Sequence, residues 1–412
     1  MLILKLAFRN ILRNRRRSIL TLLSMGGGFF LLCLTLSMSE GSYSNIIDIF
    51  TQDHTGHVQI HKGDYLERPS LYKTITNADA LMSQLESHSD VVGMAPRIYG
   101  PSLAYGKNKT FPAQVIGIDP LRESQTTRLK SKVKKGKYLT SNISETGYYP
   151  AMIGFSLANN LGLTIGDELV LISQGIDGSI ANDIFEITAI IGDASSYEKM
   201  NVYITLPAMQ EFLSMGTHEN SQVHEIAIIL ENQSLAIDFS KRTQQQLADS
   251  GVTVEPWQVV ESSFYNSMQA DKKGSYVSMG IIIFIVSIGV LNTILMGTLE
   301  RTREFGVLKA IGTRPLSVFS LIIVESFVLA LISCLLGLVL SLPVCFWLAS
   351  SGISMPEPID MGGIIFDTML GEVSWFVVVL PSVVVIASTL VVSLIPAIRA
   401  AKISPLQALQ AT

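Results

Sequence analysis

Long apolar runs alternate with polar stretches along this chain, and four of the runs are long enough to cross a bilayer. They occupy residues 18–40, 274–299, 316–350 and 373–398. A transmembrane helix needs about 20 consecutive, mostly apolar residues. The pattern therefore predicts an α-helical membrane protein with four transmembrane helices. The third run is longer than a bilayer needs, so we expect it to tilt, to break near Pro343 or to extend beyond the lipid.

Composition agrees with a membrane protein. Hydrophobic residues make up 48% of the 412 residues and charged residues only 16%, whereas soluble domains carry about 25% charged residues. The net charge of −4 gives no nucleic-acid signal. The three cysteines, Cys33, Cys334 and Cys345, all lie in apolar runs, which favours small core residues over disulfides or metal ligands.

The distribution of positive charge predicts the orientation of the four spans. Lys and Arg are present before the first run, in residues 300–315 and in residues 399–412, whereas residues 351–372 carry four acids and no Lys or Arg. Because cytoplasmic loops are enriched in Lys and Arg, both termini are expected in the cytoplasm. The first run is long and has no small-x-small cleavage site after it, which favours an uncleaved anchor over a signal peptide.

Residues 1–17 mix apolar and basic side chains and predict an amphipathic helix on the cytoplasmic leaflet, in contact with membrane lipids; a solvated basic flank is the alternative. Residues 41–273 must then lie outside the membrane. Short strand and helix patterns interleave there, which predicts a large α+β extracytoplasmic domain, with a second lobe at about residues 120–220. Residues 42–51 and 261–276 are expected to continue the first two spans as a helical stalk.

Within the domain, Met152–Leu161 reads as a helix. The stretch Ser173–Ile184 reads as a short Gly/Ser/Asp-rich loop without bulky apolar or proline anchors. The loop 351–372 between the third and fourth spans is expected to be short and extracytoplasmic.

A dense block of charge separates the second and third spans. It contains Glu300, Arg301, Arg303 and Glu304, and apolar residues at roughly helical spacing follow, with Gly312 as a helix stop. The pattern predicts a short amphipathic helix within residues 300–315. Such a helix between two spans lies in the interface or docks on a soluble partner.

The absence of several catalytic motifs argues against several functions. The chain has no G-x-x-x-x-G-K-[ST] phosphate loop, no G-x-S-x-G elbow and no H-E-x-x-H zinc motif. We therefore predict no catalytic residues, no metal site and no cofactor in this chain. One cluster invites a metal interpretation: Asp53, His54, His57, His61 and Asp64. Alternation along a strand places His57 and His61 on one face, but surface histidines on an exposed strand are the favoured interpretation.

Asn292 and Glu325 are two candidate functional polar residues inside the spans. Intramembrane acids are costly and usually paired or functional. Glu325 lies only two to three turns from the cytoplasmic end of its span. A structural pair with a basic residue of the charged block is therefore favoured over a proton relay.

The order of the segments and three sequence motifs together resemble those of a known protein family. The order is one span, a large external domain and three further spans. The second-span exit reads LNTILMGTLERTREFGVLKAIGTRP, the external domain contains IGFSLA at Ile153–Ala158, and the tail reads PAIRAAKISPLQAL. The chain resembles the FtsX-like permeases of the MacB and LolC/LolE group, the type VII ABC transporters, and its layout is most similar to LolC/LolE.

The resemblance implies a non-catalytic permease subunit in the bacterial inner membrane, with its large domain in the periplasm. Such a subunit pairs with a second permease, as a homo- or heterodimer. It binds two copies of a cytoplasmic ABC ATPase, which holds ATP and Mg, and works by mechanotransmission. The implied coupling residues are Glu300, Arg301, Arg303, Glu304, Gly306, Lys309, Ala310 and Gly312. Since only a short basic helix precedes the first span, the ATPase is expected as a separate polypeptide.

The resemblance also implies a function, lipoprotein release from the inner membrane to a periplasmic carrier. The short polar stretch Ser173–Ile184 departs from the protruding hairpin by which LolC recruits that carrier. Two alternatives remain open: MacB-like export of another hydrophobic or peptide cargo through an adaptor, and FtsX-type regulation of a periplasmic hydrolase without transport.

Overall fold

The computed structural model describes residues 9, 13, 15–141, 143, 147–215, 222–361 and 364–404. The predicted amphipathic helix at residues 1–17 and the end of the tail therefore lie largely outside the described residues. The chain divides into two compact units. We call the described parts of 1–44, 268–355 and 368–412 the helical unit, and the described parts of 45–267 and 356–367 the β-rich unit.

The α-helices are α1 (Arg15–Phe50), α2 (Ala78–Leu85), α3 (Pro120–Thr126), α4 (Phe155–Leu161), α5 (Leu206–Phe212), α6 (Ala236–Gln246), α7 (Trp257–Val260), α8 (Ser262–Glu300), α9 (Thr302–Ala310), α10 (Pro315–Ser351) and α11 (Trp375–Lys402). The strands are β1 (Val58–Lys62), β2 (Val91–Gly106), β3 (Lys109–Ile118), β4 (Val133–Gly136), β5 (Tyr149–Gly154), β6 (Glu168–Gln174), β7 (Ile180–Ile191), β8 (Asn201–Thr205), β9 (Glu225–Leu230), β10 (Val252–Pro256), β11 (Ile353–Met361) and β12 (Ile364–Met369).

Among the described residues, four helices, α1, α8, α10 and α11, are long and apolar enough to cross a membrane. They match the four predicted runs. Helices α1 and α8 extend well beyond their runs, as the sequence analysis expects for residues 42–51 and 261–276. Helix α10 is continuous through Pro343, so the break considered there is absent.

Side chains from all four long helices form the core of the helical unit. Phe29, Leu32 and Leu36 of α1 are almost fully buried and pack with residues of the other three helices: Met279, Cys334, Val377 and Val385. The described cysteines are free and buried, in agreement with small core residues. A second cluster joins α9 to α10 and α11 and is described below.

The β-rich unit contains one sheet of ten strands with two parts that share β2. Strand β6 pairs with both β7 and β2, so the strands β2, β3, β8, β5, β7 and β6 close into a ring. The first half of β2 pairs instead with β9, which leads through β1 to β10. The unit is therefore an α+β structure; the second lobe at about 120–220 stays a prediction.

Three elements differ from the sequence analysis. Residues Met152–Gly154 belong to strand β5 and only Phe155–Leu161 is helical, because a short, fully buried apolar run suits a sheet interior as well as a helix. In the stretch Ser173–Ile184, strands β6 and β7 continue towards each other and leave only residues 175–179 as the turn. The loop after α10 contains a hairpin, β11–β12, where only a short loop was expected.

Candidate functional site

The charged block between the second and third spans forms a short helix between two sharp turns. Helix α8 ends at Glu300, and α9 begins at Thr302 after a single non-helical residue, Arg301. At the other end Thr313 N donates to Leu308 O at 3.0 Å and Gly312 N donates to Lys309 O at 3.1 Å. This is a Schellman motif with Gly312 at φ 94°, a conformation that glycine adopts without strain. Pro315 then starts α10.

One face of α9 is buried against the helical unit. Phe305 is 1% exposed and packs with Val318 and Ile322 of α10 and with Ala397 of α11. Gly306, predicted as a coupling residue, is buried beside Phe305. Through these contacts α9 is attached to α11 as well as to α10, the helix that follows it in the chain.

A chain of four charged side chains holds the start of α9. Arg301 Nη1 donates to Glu325 Oε2 at 2.8 Å, and Arg301 Nε donates to Glu304 Oε2 at 3.2 Å. Glu304 also accepts a hydrogen bond from Arg13. The alternating charges run + − + −, so each buried or half-buried charge has an opposite neighbour, which is the condition for keeping ions out of water at tolerable cost.

The same contacts set the ionisation of Glu304. Partial burial alone would raise the pKa of its carboxyl, but the hydrogen bonds from Arg13 and Arg301 outweigh that effect and hold the pKa below its ordinary value. Glu304 is therefore a carboxylate at neutral pH and links Arg13 to α9.

A small cavity adjoins the Arg301–Glu325 pair. Its volume is about 30 Å³, and its lining includes the hydroxyl-bearing residues Thr21, Thr293 and Thr298. A cavity of this size is large enough for a water molecule.

Lys309 points towards the end of α11. Its Nζ donates to Ala401 O at 2.8 Å and to Ile403 O at 2.6 Å. The last carbonyls of a helix lack partners within the helix, and a cation there also interacts favourably with the helix dipole. The geometry thus makes Lys309 a cap for α11, which the sequence pattern alone did not indicate.

The opposite face of α9 is open. Val307 is 47% exposed and Ile311 is 75% exposed, and Arg303 and Ala310 are exposed beside them. Glu300 is exposed at the end of α8. The eight residues predicted for coupling therefore divide between an inward set (Arg301, Glu304, Gly306, Lys309) and an outward set (Glu300, Arg303, Ala310, Gly312). Asn292 is exposed on the surface of α8.

Two contributors to this site escaped the sequence analysis. Arg13 lies 291 residues before its partner Glu304, so no local spacing could connect them. Val307 and Ile311 belong to the apolar residues of the helical pattern, and only their exposure shows that they lie on the outward face.

The histidine cluster differs from both interpretations considered for it. His61 lies on β1, between β9 and β10, and His57 directly precedes that strand. The two side chains are 0% and 4% exposed, so the expectation of surface histidines is wrong. His57 Nδ1 accepts from Leu230 N at 3.0 Å, and the His61 ring bonds Gln59 Oε1 at 2.9 Å. Among the described residues, no group of three His, Cys, Asp or Glu side chains is arranged to hold a metal ion.

Comparison with known sequences gives two domain matches. The description "MacB-like periplasmic core domain" matches residues 18–246, and "FtsX-like permease C-terminal" matches residues 276–405. The lipoprotein-releasing system transmembrane protein LolE of Haemophilus influenzae is 21% identical over 350 residues, which are 82% of this chain and 81% of that protein. The uncharacterized ABC transporter permease YknZ of Bacillus subtilis is 22% identical over 431 residues, 99% of this chain and 98% of that protein.

The macrolide export ATP-binding/permease protein MacB of Sodalis glossinidius is 23% identical over 421 residues, which cover 98% of this chain but 60% of that protein. The first domain match alone extends over more than half of the 412 residues. The chain accordingly belongs to the FtsX-like, MacB–LolC/LolE family of ABC transporter permeases, whose members work with ABC ATPases and partner permeases.

Proposed function

We propose that this chain couples ATP hydrolysis by a separate cytoplasmic ATPase to a conformational change in the β-rich unit, and that the change releases lipoproteins from the bacterial inner membrane. The observation that carries the proposal is the division of α9 into an inward face fixed by ions and packing and an outward face that exposes Val307 and Ile311. The ATPase holds ATP and Mg; this chain supplies no catalytic group.

The outward face of α9 is the docking surface for the ATPase. Exposed aliphatic side chains flanked by a charged one, Arg303, suit a protein interface, in which a few buried side chains carry most of the affinity. The inward face then passes the movement on. Because Phe305 packs on α10 and α11 and Arg301 is paired with Glu325, a displacement of α9 displaces those helices with it.

Helix length supports mechanical transmission. Helix α1 has 36 residues and α8 has 39, which correspond to roughly 54 and 58 Å at about 1.5 Å per residue. The hydrocarbon core of a bilayer is only about 30 Å thick. With both termini in the cytoplasm, each helix continues beyond the lipid on the periplasmic side without a break in its backbone hydrogen bonding, which favours transfer of rigid-body movement.

The proposal that the cargo is a lipoprotein is supported by similarity to LolE, which extends over four fifths of both chains. The β6–β7 turn is short and polar, with Asp177, Gly178 and Ser179 exposed at its tip, so the periplasmic carrier does not dock through this turn. This chain is then the LolE-like member of a permease pair. The exposed Asn292 on the apolar α8 is placed to hydrogen-bond the second permease subunit.

The docking surface is tested by co-purification. The tagged full chain is expressed in its host, extracted in detergent and analysed for a bound ABC ATPase. We expect an ATPase with the wild type and at least a tenfold loss with Val307→Asp. Val92→Asp is the matched control, because Val92 is an equally apolar, 62% exposed residue of the β-rich unit. Absence of any ATPase from the wild type, even after crosslinking, contradicts the proposed function.

The cargo is tested in proteoliposomes that hold the purified complex and a labelled triacylated lipoprotein. We expect ATP to release the lipoprotein to a soluble acceptor and a non-hydrolysable analogue not to do so. If lipoprotein stays in the vesicles while ATP is hydrolysed at the normal rate, the lipoprotein assignment fails and export of another cargo or control of a hydrolase takes its place.

A further inference from the structure

The C-terminal end of α1 enters the β-rich unit through an unusual turn. A single π-helical turn, Thr51–Thr55, follows α1 directly, and Gly56 then adopts φ 74°. A Cβ atom at Gly56 would lie 3.0 Å from Ile228 O, so only glycine fits this sharp change of direction. π-helical turns are rare and occur frequently at functional sites. The turn connects a long helix directly to the buried strand β1.

Arg97 of β2 joins this turn to the sheet. Its guanidinium donates to His54 O at 2.6 Å, so the side chain bonds the backbone of the π-helical turn itself. The same group forms a two-pronged pair with Glu123 at 2.7 and 3.1 Å and a further pair with Glu225 at 3.0 Å. All three charged side chains are at most 6% exposed. One arginine thus links the turn to α3 and β9.

Two further basic residues hold the same segment. Lys132 Nζ lies 3.0 Å from Asp53 Oδ2 in the turn and 2.5 Å from Glu198 Oε1. Arg128 pairs with Asp48 near the end of α1 at 2.8 Å, and its backbone N donates to Gln52 O at 3.0 Å. The end of α1 is therefore held from several directions by ion pairs and by main-chain hydrogen bonds.

The same end of α1 contacts α8. The rings of Phe50 and Phe264 stack with centroids 4.6 Å apart and planes 6° from parallel. This stack joins the end of α1 to the start of α8 within the β-rich unit.

Fold stability alone does not require such an arrangement, because well-packed apolar residues replace buried ion pairs with little loss or even a gain of stability. Buried arginine forks instead impose a fixed direction on every group that they bind. We propose that Arg97 is the positioning residue of a rigid joint that fixes the end of α1 to the sheet, so that movement of α1 is delivered to the β-rich unit and not lost in a flexible linker. This proposal rests on the proposed function for the origin of the movement.

The joint is tested by hydrogen–deuterium exchange of the full chain in nanodiscs. Arg97→Lys keeps the charge but cannot span both carboxylates and His54 O. We expect amide exchange over residues 48–58 to rise at least tenfold, with residues 180–191 of the ring unchanged. Arg242→Lys is the matched control, since it alters an exposed pair with Asp90. Unchanged exchange at 48–58, or an equal rise throughout the unit, overturns the proposal, because the latter indicates a merely stabilising role.

A second measurement tests whether movement driven by ATP reaches the β-rich unit. In the complex with its co-purified ATPase, ATP is expected to change exchange in residues 58–256 of the wild type. In Arg97→Lys we expect that change to fall at least threefold while ATP hydrolysis continues. A full ATP-dependent change in this variant overturns the proposal. If Arg97→Lys does not fold, the triple variant Arg97→Met, Glu123→Leu and Glu225→Leu, which leaves no unpaired charge, replaces it with the same expected outcomes.

The two proposals fail in distinguishable ways. If no ATPase co-purifies, the proposed function fails, but exchange at residues 48–58 still reports on the joint. If ATP hydrolysis and lipoprotein release persist in Arg97→Lys with a loosened turn, the joint is not needed for transmission and the proposed function stands.

Discussion

Arg301, in the turn between α8 and α9, places its Nη1 atom 2.8 Å from Oε2 of Glu325 on α10, and the two side chains are only 9% and 11% exposed. The guanidinium also lies over the Phe305 ring, 5.2 Å from its centroid, at cation–π distance. One arginine therefore ties the start of α9 both to α10 and to the apolar residues of its own helix. This relationship makes α9 part of the helical unit and not a separate loop.

Breaking the pair is expected to destabilise the helical unit. Glu325→Ala leaves Arg301 buried without its main partner, and loss of one member of a buried pair costs about 3–5 kcal/mol. The measurement is the midpoint of unfolding in detergent. Because Glu304 remains as a second partner, we expect the lower end of that range. Replacement of both residues, Arg301→Met with Glu325→Leu, is expected to restore most of the stability while ATPase coupling stays low. Equal stability of the single variant and the wild type contradicts a structural role for the pair.

Glu304→Lys is expected to uncouple the ATPase without loss of expression. The change places a third positive charge between Arg13 and Arg301 and so reverses the two attractions that hold the start of α9. ATP hydrolysis of the co-purified complex, with and without lipoprotein, is the measurement, and we expect stimulation to disappear. Arg303→Glu, on the outward face, tests docking separately, because it should lower the amount of bound ATPase. Full stimulation in Glu304→Lys counts against the coupling role.

The pH dependence of Glu304 follows from its lowered pKa. A carboxyl whose pKa is depressed in the folded state contributes stability that is present above its unfolded pKa, 4.5, and is lost as the pH falls through the folded value. Between pH 6 and 8 this contribution is constant. We therefore expect the wild type and Glu304→Gln to differ in unfolding temperature by the same amount at pH 6 and pH 8, and to converge below pH 4.5.

The periodicity of Phe305 and Leu308 sufficed to predict α9, and charge-free runs sufficed for the four long helices, because both signals are local. The partners in the site were not local. Glu325 is 24 residues from Arg301, and Arg13 is 291 residues from Glu304. The position of Glu325 in the sequence indicated a basic partner but could not select Arg301 among the four basic residues of 300–315. Likewise, His61 was expected on an exposed strand because nothing local shows that β9 and β10 flank β1.

Lys309→Met is expected to loosen the end of α11. The methionine keeps most of the aliphatic side chain but removes the hydrogen bonds to Ala401 O and Ile403 O. A hydrogen bond from a charged group contributes about 1.5–3 kcal/mol, and part of this is regained through water. Amide exchange over residues 397–404 should rise about tenfold. Lys402→Met, which removes an exposed lysine of the same turn, is the control. An equal effect of the two changes indicates that charge near the helix end matters and the specific cap does not.

The buried histidines are expected to make the β-rich unit sensitive to mild acid. Burial lowers the pKa of His57 and of His224 below the ordinary value of 6.5. Each therefore stays neutral in the folded state and takes up a proton on unfolding once the pH falls below about 6.5. Since the unfolded state binds more protons below that pH, the free energy of unfolding decreases as the pH decreases. The decrease is up to about 1.4 kcal/mol per pH unit for each histidine.

His57→Asn isolates one of these contributions. The side-chain oxygen of the introduced asparagine can accept the hydrogen bond from Leu230 N that His57 Nδ1 accepts in the wild type. Unlike histidine, asparagine does not titrate. The measurement is the midpoint of denaturant unfolding of the full chain between pH 7.5 and pH 5.5, where carboxyls contribute little. We expect a shallower fall of stability with decreasing pH in the variant and the same stability, within about 1 kcal/mol, at pH 7.5. Parallel pH profiles for the two proteins mean that His57 binds a proton equally in both states, and its burial then does not control the acid response.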